Sequence, residues 1–352
     1  MTFRYIGSKA RLLEQISEHI GPWKEGFFVD AFCGTGSVSE LAASLGWPIR
    51  LNDHLISATT MAAARFVSGH GGILRKMGGY ESAIDQLNGT AGRKGFIFRE
   101  YSPASLAKTG VERRYFTEGN AAKIDGIRAR IREWSESGRI SKREEMLLVA
   151  DLLSAANRVA NIAGTYGCFL AKWTPQAARS LALQPRELKR TATKVNVSNV
   201  DAAAVEVGHQ DLVYLDPPYT KRQYASYYHI LETIALGDEP VVEGVAGLRP
   251  WRSLASEFCY KVRALGALTS LVASLPARRI LLSYSNEGHV DLDLLKTGLA
   301  GFGAVRIHEL ATVGRYRPNV TASAARASVS EFLIVIEKRA DLTRQRRELA
   351  VA

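Results

Sequence analysis

Glycines and acidic side chains follow a short apolar run near the N-terminus in a pattern that suits a nucleoside ligand. Residues 27–29 are predicted to form a buried strand, and Asp30-Ala31-Phe32-Cys33-Gly34-Thr35-Gly36-Ser37 follows at a strand-to-helix turn. Gly34 and Gly36 let a ligand approach the backbone, and the start of the next helix offers free N–H groups. Asp53 ends the next apolar run, where a carboxylate can accept both hydroxyls of a ribose. The sequence therefore predicts a nucleoside pocket at the carboxyl ends of parallel strands.

A second group, Asp216-Pro217-Pro218-Tyr219, comes directly after the apolar run Leu212–Leu215. Two consecutive prolines lack backbone N–H donors and hold the chain in an extended turn. This leaves a rigid platform that carries one carboxylate, one free proline carbonyl and one aromatic ring. Two acceptors for N–H groups and a ring for stacking suit a planar amine. The sequence therefore predicts an amine-binding site at the end of this strand.

The segments around both groups alternate between strands and helices, which predicts a parallel sheet with helices on its faces. Strands are expected at 27–29, 49–51, 194–200, 212–215 and 280–284, with a closing antiparallel pair at 305–309 and 332–336. Helices are expected at 8–20, 38–45, 227–236, 254–275 and 291–299. This rhythm breaks in the middle of the chain, where 69–95 is glycine-rich and irregular and 120–134 and 142–163 are predicted to be helical. We therefore expect an α/β protein with one domain at 1–69 and 195–340, an inserted domain at 70–194 and a polar tail at 341–352.

Charge is unevenly distributed along the chain. Its 352 residues include 46 Lys and Arg and 35 Asp and Glu, which gives a formal net charge of +11. Residues 70–200 hold 22 basic and 12 acidic residues, whereas the segments on either side are close to neutral. A basic block of this kind favours binding to a polyanion, above all nucleic acid.

Composition excludes several classes of protein. The hydrophobic fraction is 46% and the charged fraction 23%, which is ordinary for a globular chain and excludes a collagen-like, coiled-coil or largely disordered protein. Three cysteines are too few for a disulfide framework or a cysteine-type zinc site, and no metal is expected. No apolar run reaches the length of a membrane span, and residues 1–5 lack the apolar core of a secretory signal. A cytoplasmic protein is the simplest interpretation.

Taken together, the motifs resemble those of the D12 class of DNA adenine-N6 methyltransferases, the Dam-like group with motifs in the α order. Phe3-Arg4-Tyr5-Ile6-Gly7-Ser8-Lys9 is similar to the N-terminal motif of that group, although the family often has a second glycine where Ser8 stands. Residues 30–37 look like its cofactor motif, 51–53 like its ribose-binding acidic motif and 216–219 like its catalytic motif. The long basic insert stands between the cofactor and catalytic motifs, as it does in that group.

The resemblance implies a Rossmann-like, mixed-sheet fold of the S-adenosylmethionine-dependent methyltransferases, with an inserted, mainly helical target-recognition region. It implies site-specific methyl transfer from S-adenosylmethionine to N6 of a flipped-out adenine in double-stranded DNA, because N6 is inaccessible inside a base pair. Asp216 and the carbonyl of Pro217 would accept the N6 hydrogens. Pro218 would keep the turn rigid, and Tyr219 would stack on the base. No covalent intermediate is needed, so Cys33 is not expected to act as a nucleophile.

The same resemblance implies a set of cofactor contacts. The glycines of the turn would allow close approach of the cofactor, and the acidic residue after the second strand would bind its ribose. Lys9 is expected to meet the methionine carboxylate or a DNA phosphate. Asp201 is expected either to contact the cofactor adenine or to cap a helix before Ala202. The full expected set is Tyr5, Lys9, Asp30, Phe32, Gly34, Gly36, Asp53 and Asp201.

DNA contacts are expected from two segments. Lys221, Arg222 and Tyr224 follow the catalytic motif in a stretch that is dense in phosphate donors and aromatic rings. Arg113 and Arg114 are candidates from the insert, because sequence readout needs side chains such as arginine on base edges.

Several alternatives stay open at this point. N4-cytosine methylation or an RNA adenine target would use a similar pocket, although Asp216 favours adenine because serine more often stands there in N4-cytosine enzymes. A DNA-binding relative that has lost catalysis is disfavoured by the intact catalytic motif. A nicotinamide oxidoreductase is disfavoured because Glu40 and Leu41 occupy the region of the third glycine of a dinucleotide motif. His229 is interpreted as a packed structural residue rather than a general base. The enzyme would serve a restriction endonuclease partner or act as a solitary methylase, as a monomer or a dimer.

Overall fold

The computed structural model describes residues 7, 9–69, 72–189, 193–313 and 329–339. Tyr5 and the tail at 341–352 lie outside these residues. Within the described parts, seven strands form one sheet: β1 (Phe28–Asp30), β2 (Ile49–Asn52), β3 (Val195–Ser198), β4 (Leu212–Leu215), β5 (Arg279–Ser285), β6 (Gly303–Val313) and β7 (Val329–Lys338). The α-helices are α1 (Leu13–Ile20), α2 (Ser37–Ser44), α3 (Ile56–Ala64), α4 (Tyr80–Gly89), α5 (Phe96–Tyr101), α6 (Leu106–Thr109), α7 (Glu118–Glu136), α8 (Lys142–Val159), α9 (Tyr224–Tyr227), α10 (His229–Leu236), α11 (Ala264–Ser274) and α12 (Leu292–Ala300).

The strand order is β3-β2-β1-β4-β5-β7-β6. Strands β1 to β5 are parallel, and β7 lies antiparallel between β5 and β6. The predicted mixed sheet and its closing antiparallel pair are therefore confirmed. From β1 the chain proceeds to β2 on one side, whereas β4 lies on the other side. Such a change of direction opens a crevice at the carboxyl ends of the two central strands, where ligands bind in open α/β sheets.

Side chains from the central strands pack alternately onto two faces of the sheet. Val213 and Leu215 face a hydrophobic cluster with α11 and α12, whereas Leu212 and Tyr214 face one with α1 and α2. All four residues of β4 are buried. Burial on both faces explains why this strand is a continuous apolar run and was recognisable from sequence.

Helices of the middle segment share a core with the sheet-bearing part of the chain. Residues of α7 and α8 form one cluster with Leu55 and Ala58 next to the second strand, and with Ile230 and Leu231 of α10. The prediction that 69–95 is irregular is wrong in part, because α4 lies within it, flanked by glycines that obscure its apolar spacing. The predicted helix at 254–275 begins only at Ala264. No helix in the described part of the chain has the length and apolar character to cross a membrane.

Candidate active site

The residues that carry chemistry meet at the crevice between β1 and β4. Asp30 is the last residue of β1 and pairs in register with Tyr214, two residues before Asp216. A cavity of about 450 Å³ at this point is lined by both sequence motifs, and its volume lies in the range of about 300–1,000 Å³ that is usual for ligand sites. Phe32, Gly34 and Asp53 line one part of it, while Asp216 and Pro218 line another. Two groups that lie 186 residues apart in sequence therefore share one space.

The turn between β1 and α2 depends on two glycines. Gly34 and Gly36 have φ values of 48° and 78°, in the left-handed region that favours glycine. A Cβ on Gly36 would lie 2.8 Å from the Cα and Cβ of Ala62 in α3. Gly34 lines the cavity, but Gly36 does not. Gly36 thus allows the turn to pack closely against α3. Sequence analysis predicted instead that this glycine allows close approach of the cofactor.

Asp53 ties the turn to the loop after β2. Its Oδ2 accepts a hydrogen bond from the Gly34 N–H at 3.1 Å, and its Oδ1 accepts one from the Leu55 N–H at 3.0 Å. Burial raises the pKa of this carboxyl to about 6, although both hydrogen bonds favour the charged form. Each oxygen has a further lone pair, so the carboxylate can still accept hydroxyl groups from a ligand in the cavity.

Asp30 is a buried carboxylate with one oxygen unsatisfied. Ser39 donates its hydroxyl to Oδ2 at 2.5 Å, while no donor among the described residues reaches Oδ1. Asp30 is 2% exposed and lines the cavity. Burial raises its pKa to about 7, against the hydrogen bond from Ser39. A buried acceptor without a partner is costly, and a cationic ligand group in the cavity would satisfy it.

Lys9 lies beside Asp216. Its Nζ is 3.1 Å from Asp216 Oδ1 and 3.4 Å from Glu331 Oε2, and its side chain is 4% exposed. Burial lowers the pKa of Lys9, but the carboxylate of Asp216 leads a set of acidic groups that outweighs it, so the pKa is raised well above its ordinary value. Two carboxylates already engage its ammonium, but Lys9 also lines the cavity, so a contact with the methionine carboxylate or a DNA phosphate stays a prediction.

Asp216 itself is half-buried, with its side chain 17% exposed. Burial raises its pKa to about 6, since desolvation outweighs the attraction of Lys9 and Glu331 adds a like charge. Pro217 is buried and Pro218 is half-buried on the same turn. The carboxylate is therefore ionised near neutral pH and lies at the wall of the cavity.

Tyr219 contacts Glu331, which sequence analysis did not identify, and Tyr284, the last residue of a predicted strand. The hydroxyl of Tyr219 donates a hydrogen bond to Glu331 Oε1 at 3.2 Å, and its ring centroid lies 5.6 Å from that of Tyr284 at 60°. Glu331 lies on β7, 112 residues away in sequence. A single glutamate among the apolar residues of a strand gives no signal of its own in the sequence. Its place beside Tyr219 becomes evident only from the topology of the sheet.

The segment that follows Tyr219 lines the cavity and is hydrogen-bonded to a second lining segment at Ser256. Gln223 donates from Nε2 to the Ser256 carbonyl at 3.1 Å and accepts the Ser256 N–H on Oε1 at 2.8 Å. The next residues lead to Phe258, whose ring lies 5.6 Å from that of Phe32 in an edge-to-face arrangement. Tyr224, which was predicted to contact DNA, lines the cavity. Gln223 was not predicted, and its backbone pairing has no sequence signature.

Two buried residues of α10 brace the loops of the site. His229 is fully buried with Nε2 3.0 Å from the Tyr166 carbonyl, and burial lowers its pKa to about 3. This supports the structural interpretation of the histidine. Glu232 accepts hydrogen bonds from the N–H groups of Ile56 and Ser57 at 2.9 and 2.8 Å. It therefore caps the N-terminus of α3, next to the Asp53 loop.

The remaining predicted contacts fall into three groups. Lys221 and Arg222 are exposed beside the turn at 216–219. Asp201 lines the cavity and also accepts a hydrogen bond from the Ala203 N–H, so both of its expected roles are compatible with its position. Arg113 is 3% exposed and bound to Glu100 at 2.9 Å and to the carbonyls of residues 244 and 245. A DNA contact by Arg113 is therefore wrong, because its guanidinium is used inside the fold.

Arg114 differs from its neighbour in exposure. It forms an ion pair with Glu112 and donates to the Ala171 carbonyl at 2.5 Å, and its side chain is 36% exposed. The two adjacent arginines thus separate into a buried structural group and a surface group. Arg114 stays a candidate for DNA contact.

Comparison with known sequences identifies the family. The sequence model of the D12 class N6 adenine-specific DNA methyltransferases matches residues 5–292. The type II methyltransferase M.FokI of Planomicrobium okeanokoites is 32% identical over 97% of this chain and 53% of its own length. The type II methyltransferase M.NlaIII of Neisseria lactamica is 30% identical over 95% of this chain and 99% of its own length. The chain thus spans about half of the first relative and nearly all of the second. It belongs to the D12 class of N6 adenine-specific DNA methyltransferases.

Proposed function

We propose that the protein transfers a methyl group from S-adenosylmethionine to N6 of an adenine in double-stranded DNA, at a specific sequence. One observation carries this function: a single cavity joins the catalytic turn at Asp216 to the glycine turn at Gly34. A reaction between two substrates needs both to be bound within one space, with the reacting atoms close together.

The residues present fit S-adenosylmethionine. The unsatisfied, buried Oδ1 of Asp30 would accept the methionine ammonium, and Asp53 would accept the ribose hydroxyls. Phe32 and Phe258 form an aromatic wall suited to the adenine ring, with Asp201 at the edge of the cavity. When bound, S-adenosylmethionine supplies a methyl group on a sulfonium, which is electrophilic.

The catalytic turn would orient the target base. Asp216 and the Pro217 carbonyl accept the two N6 hydrogens, which directs the nitrogen lone pair toward the methyl group. Tyr219 stacks on the flipped base. N6 would gain the methyl group while the bond between that methyl and the sulfonium sulfur breaks and leaves a neutral thioether. N6 would lose one proton, which passes to the Asp216 carboxylate and then to solvent. A pKa of about 6 lets this carboxylate accept the proton and release it again near neutral pH.

Lys221 and Arg222 would hold the DNA backbone at the mouth of the site, where exposed cations favour phosphate. Arg114 would contribute from the middle segment. We further propose that the protein acts as a monomer in the cytoplasm. The two relatives are type II methyltransferases by name, so a cognate restriction endonuclease is the partner we propose for this chain.

The test is transfer of tritiated methyl groups to unmethylated plasmid DNA by the wild type and by Asp216→Ala. We expect Asp216→Ala to lose at least about 100-fold in rate, the lower end of what a positioned acid–base group contributes. Its dissociation constant for S-adenosylmethionine, measured by calorimetry, should stay within about three-fold of the wild type because Asp216 lies outside the glycine turn. Retained turnover in Asp216→Ala would contradict the assigned role.

A further inference from the structure

The carboxylate of Glu331 bridges two residues of the site. Its Oε2 lies 3.4 Å from the Lys9 Nζ, and its Oε1 accepts the Tyr219 hydroxyl at 3.2 Å. The Lys9 Nζ also lies 5.4 Å from the centre of the Tyr219 ring. Each oxygen of Glu331 thus holds a different group, and both groups adjoin the catalytic turn.

The sheet directs Glu331 toward this point. It lies on β7 opposite Ser285, the last residue of β5, which places it at the edge where the parallel strands end. On its other side, the register of β6 shifts between Glu309 and Ala311, and Ala311 is the partner of Glu331. A bulge of this kind bends a strand locally and is frequently found beside active sites.

The charges around Lys9 explain what the carboxylate does. Lys9 lies between Asp216 and Glu331, so one buried ammonium is shared by two carboxylates. The side chain of Glu331 is 14% exposed. Without it, the ammonium would move entirely to Asp216, and the Tyr219 hydroxyl would have to find another acceptor.

We propose that Glu331 is a positioning residue for methyl transfer, which fixes the Tyr219 ring and shares the Lys9 ammonium with Asp216. It acts on the target base through these residues and does not touch the base itself. This role rests on the proposed function, since positioning matters only if the catalytic turn binds a base. The cofactor end of the cavity should be unaffected, because Glu331 does not line it.

The test compares two glutamates of the same strand. Glu331→Gln keeps the size of the side chain and removes its charge, while Glu337→Gln makes the same change at an exposed position whose ion pair with Arg306 lies on the surface. Both full-length variants are assayed for methyl transfer to unmethylated plasmid DNA and for binding of S-adenosylmethionine by calorimetry. We expect Glu331→Gln to lose about ten-fold in kcat, as for loss of a charge-assisted hydrogen bond, with an unchanged cofactor dissociation constant. Glu337→Gln should match the wild type.

A second measurement does not depend on activity. Hydrogen–deuterium exchange of the peptide covering residues 216–223 should be faster in Glu331→Gln than in the wild type and unchanged in Glu337→Gln. Tyr219→Phe, which removes the same hydrogen bond from the other side, should also exchange faster, and combining it with Glu331→Gln should add little further loss of kcat.

The outcomes separate the two proposals. Normal exchange in both Glu331→Gln and Tyr219→Phe would overturn the positioning role, as would a kcat for Glu331→Gln within two-fold of the wild type. Equal loss of cofactor binding and of kcat would also overturn it, since that indicates general damage to the site. A wild type that does not methylate DNA would overturn the proposed function, and the exchange rates would still decide whether Glu331 holds the catalytic turn.

Discussion

Replacing Asp30 by asparagine should stabilise the protein at alkaline pH and weaken the binding of S-adenosylmethionine. The carboxyl is 2% exposed, and one of its oxygens has no donor among the described residues. Its pKa is raised from the ordinary 3.8 to about 7 by burial. The folded state therefore holds the proton more tightly than the unfolded state does, so stability falls as the pH rises from about 4 to about 7.

The size of the effect follows from this shift. About three pKa units correspond to about 4 kcal/mol of lost stability once Asp30 is ionised. In Asp30→Asn the oxygen can still accept from Ser39, but the new amide N–H₂ has no acceptor in place of Oδ1, which costs about 1–3 kcal/mol. The net gain at pH 8 is thus about 1–3 kcal/mol. At pH 5.5 wild-type Asp30 is mostly protonated in the folded state, and the advantage of the variant should be smaller by about 2 kcal/mol.

Urea unfolding of Asp30→Asn at pH 8 and at pH 5.5, followed by tryptophan fluorescence, measures both values. Asp85→Asn is the matched control, because Asp85 is exposed on α4, and its effect should stay within about 0.5 kcal/mol at both pH values. Calorimetry should show S-adenosylmethionine binding at least about ten-fold weaker in Asp30→Asn, since a charged acceptor is lost. A variant that is less stable than the wild type at pH 8, or whose stability difference is the same at both pH values, would refute this reasoning.

Three further substitutions test the supports of the site. Lys9→Met should raise the pKa of Asp216 above about 6 by at least about one unit, so the acidic fall in methylation rate moves to higher pH. Gln223→Ala should weaken S-adenosylmethionine binding about five-fold, measured by calorimetry, because the wall at Ser256 loses two hydrogen bonds. Glu232→Gln should lower the free energy of urea unfolding by about 2 kcal/mol, because an amide replaces the carboxylate that caps α3.

Each of these has an exposed counterpart. Lys24→Met should leave the pH profile unchanged, Gln86→Ala should bind the cofactor normally, and Glu239→Gln should alter stability by no more than about 0.5 kcal/mol. An acidic limb that stays in place in Lys9→Met would show that Lys9 does not set the pKa of the Asp216 carboxylate. Normal cofactor binding in Gln223→Ala would show that Gln223 does not support the cavity wall. Normal stability in Glu232→Gln would show that its charge does not stabilise the start of α3.

The two central strands, β1 and β4, were predictable because they are buried on both faces and are followed by chemistry-bearing residues. Leu212–Leu215 is apolar throughout, and the turn that follows contains two prolines, so both the strand and its end are visible in the sequence. The helix α4 was missed because glycines on both sides interrupt its apolar pattern. The partners Glu331 and Gln223 were missed for a different reason, since each acts on a segment that only the folded chain brings near.

Some of the basic residues that give the middle segment its net charge are used inside the fold. Several of its basic side chains donate to backbone carbonyls within the fold. Arg128 binds the carbonyls of Ile234 and Ala235 at the end of α10, and Lys123 binds that of Asn88. A count of basic residues cannot separate an arginine that caps a helix from one that faces phosphate, because both have the same sequence signature.

The most direct test of the account is mass spectrometry of nucleosides from unmethylated plasmid DNA incubated with the full chain and S-adenosylmethionine. The structure and family lead us to expect N6-methyladenine, absent when Asp216→Ala replaces the wild type. N4-methylcytosine as the product, or N6-methyladenine formed equally well by Asp216→Ala, would contradict the assignment of the cavity to adenine N6 methylation.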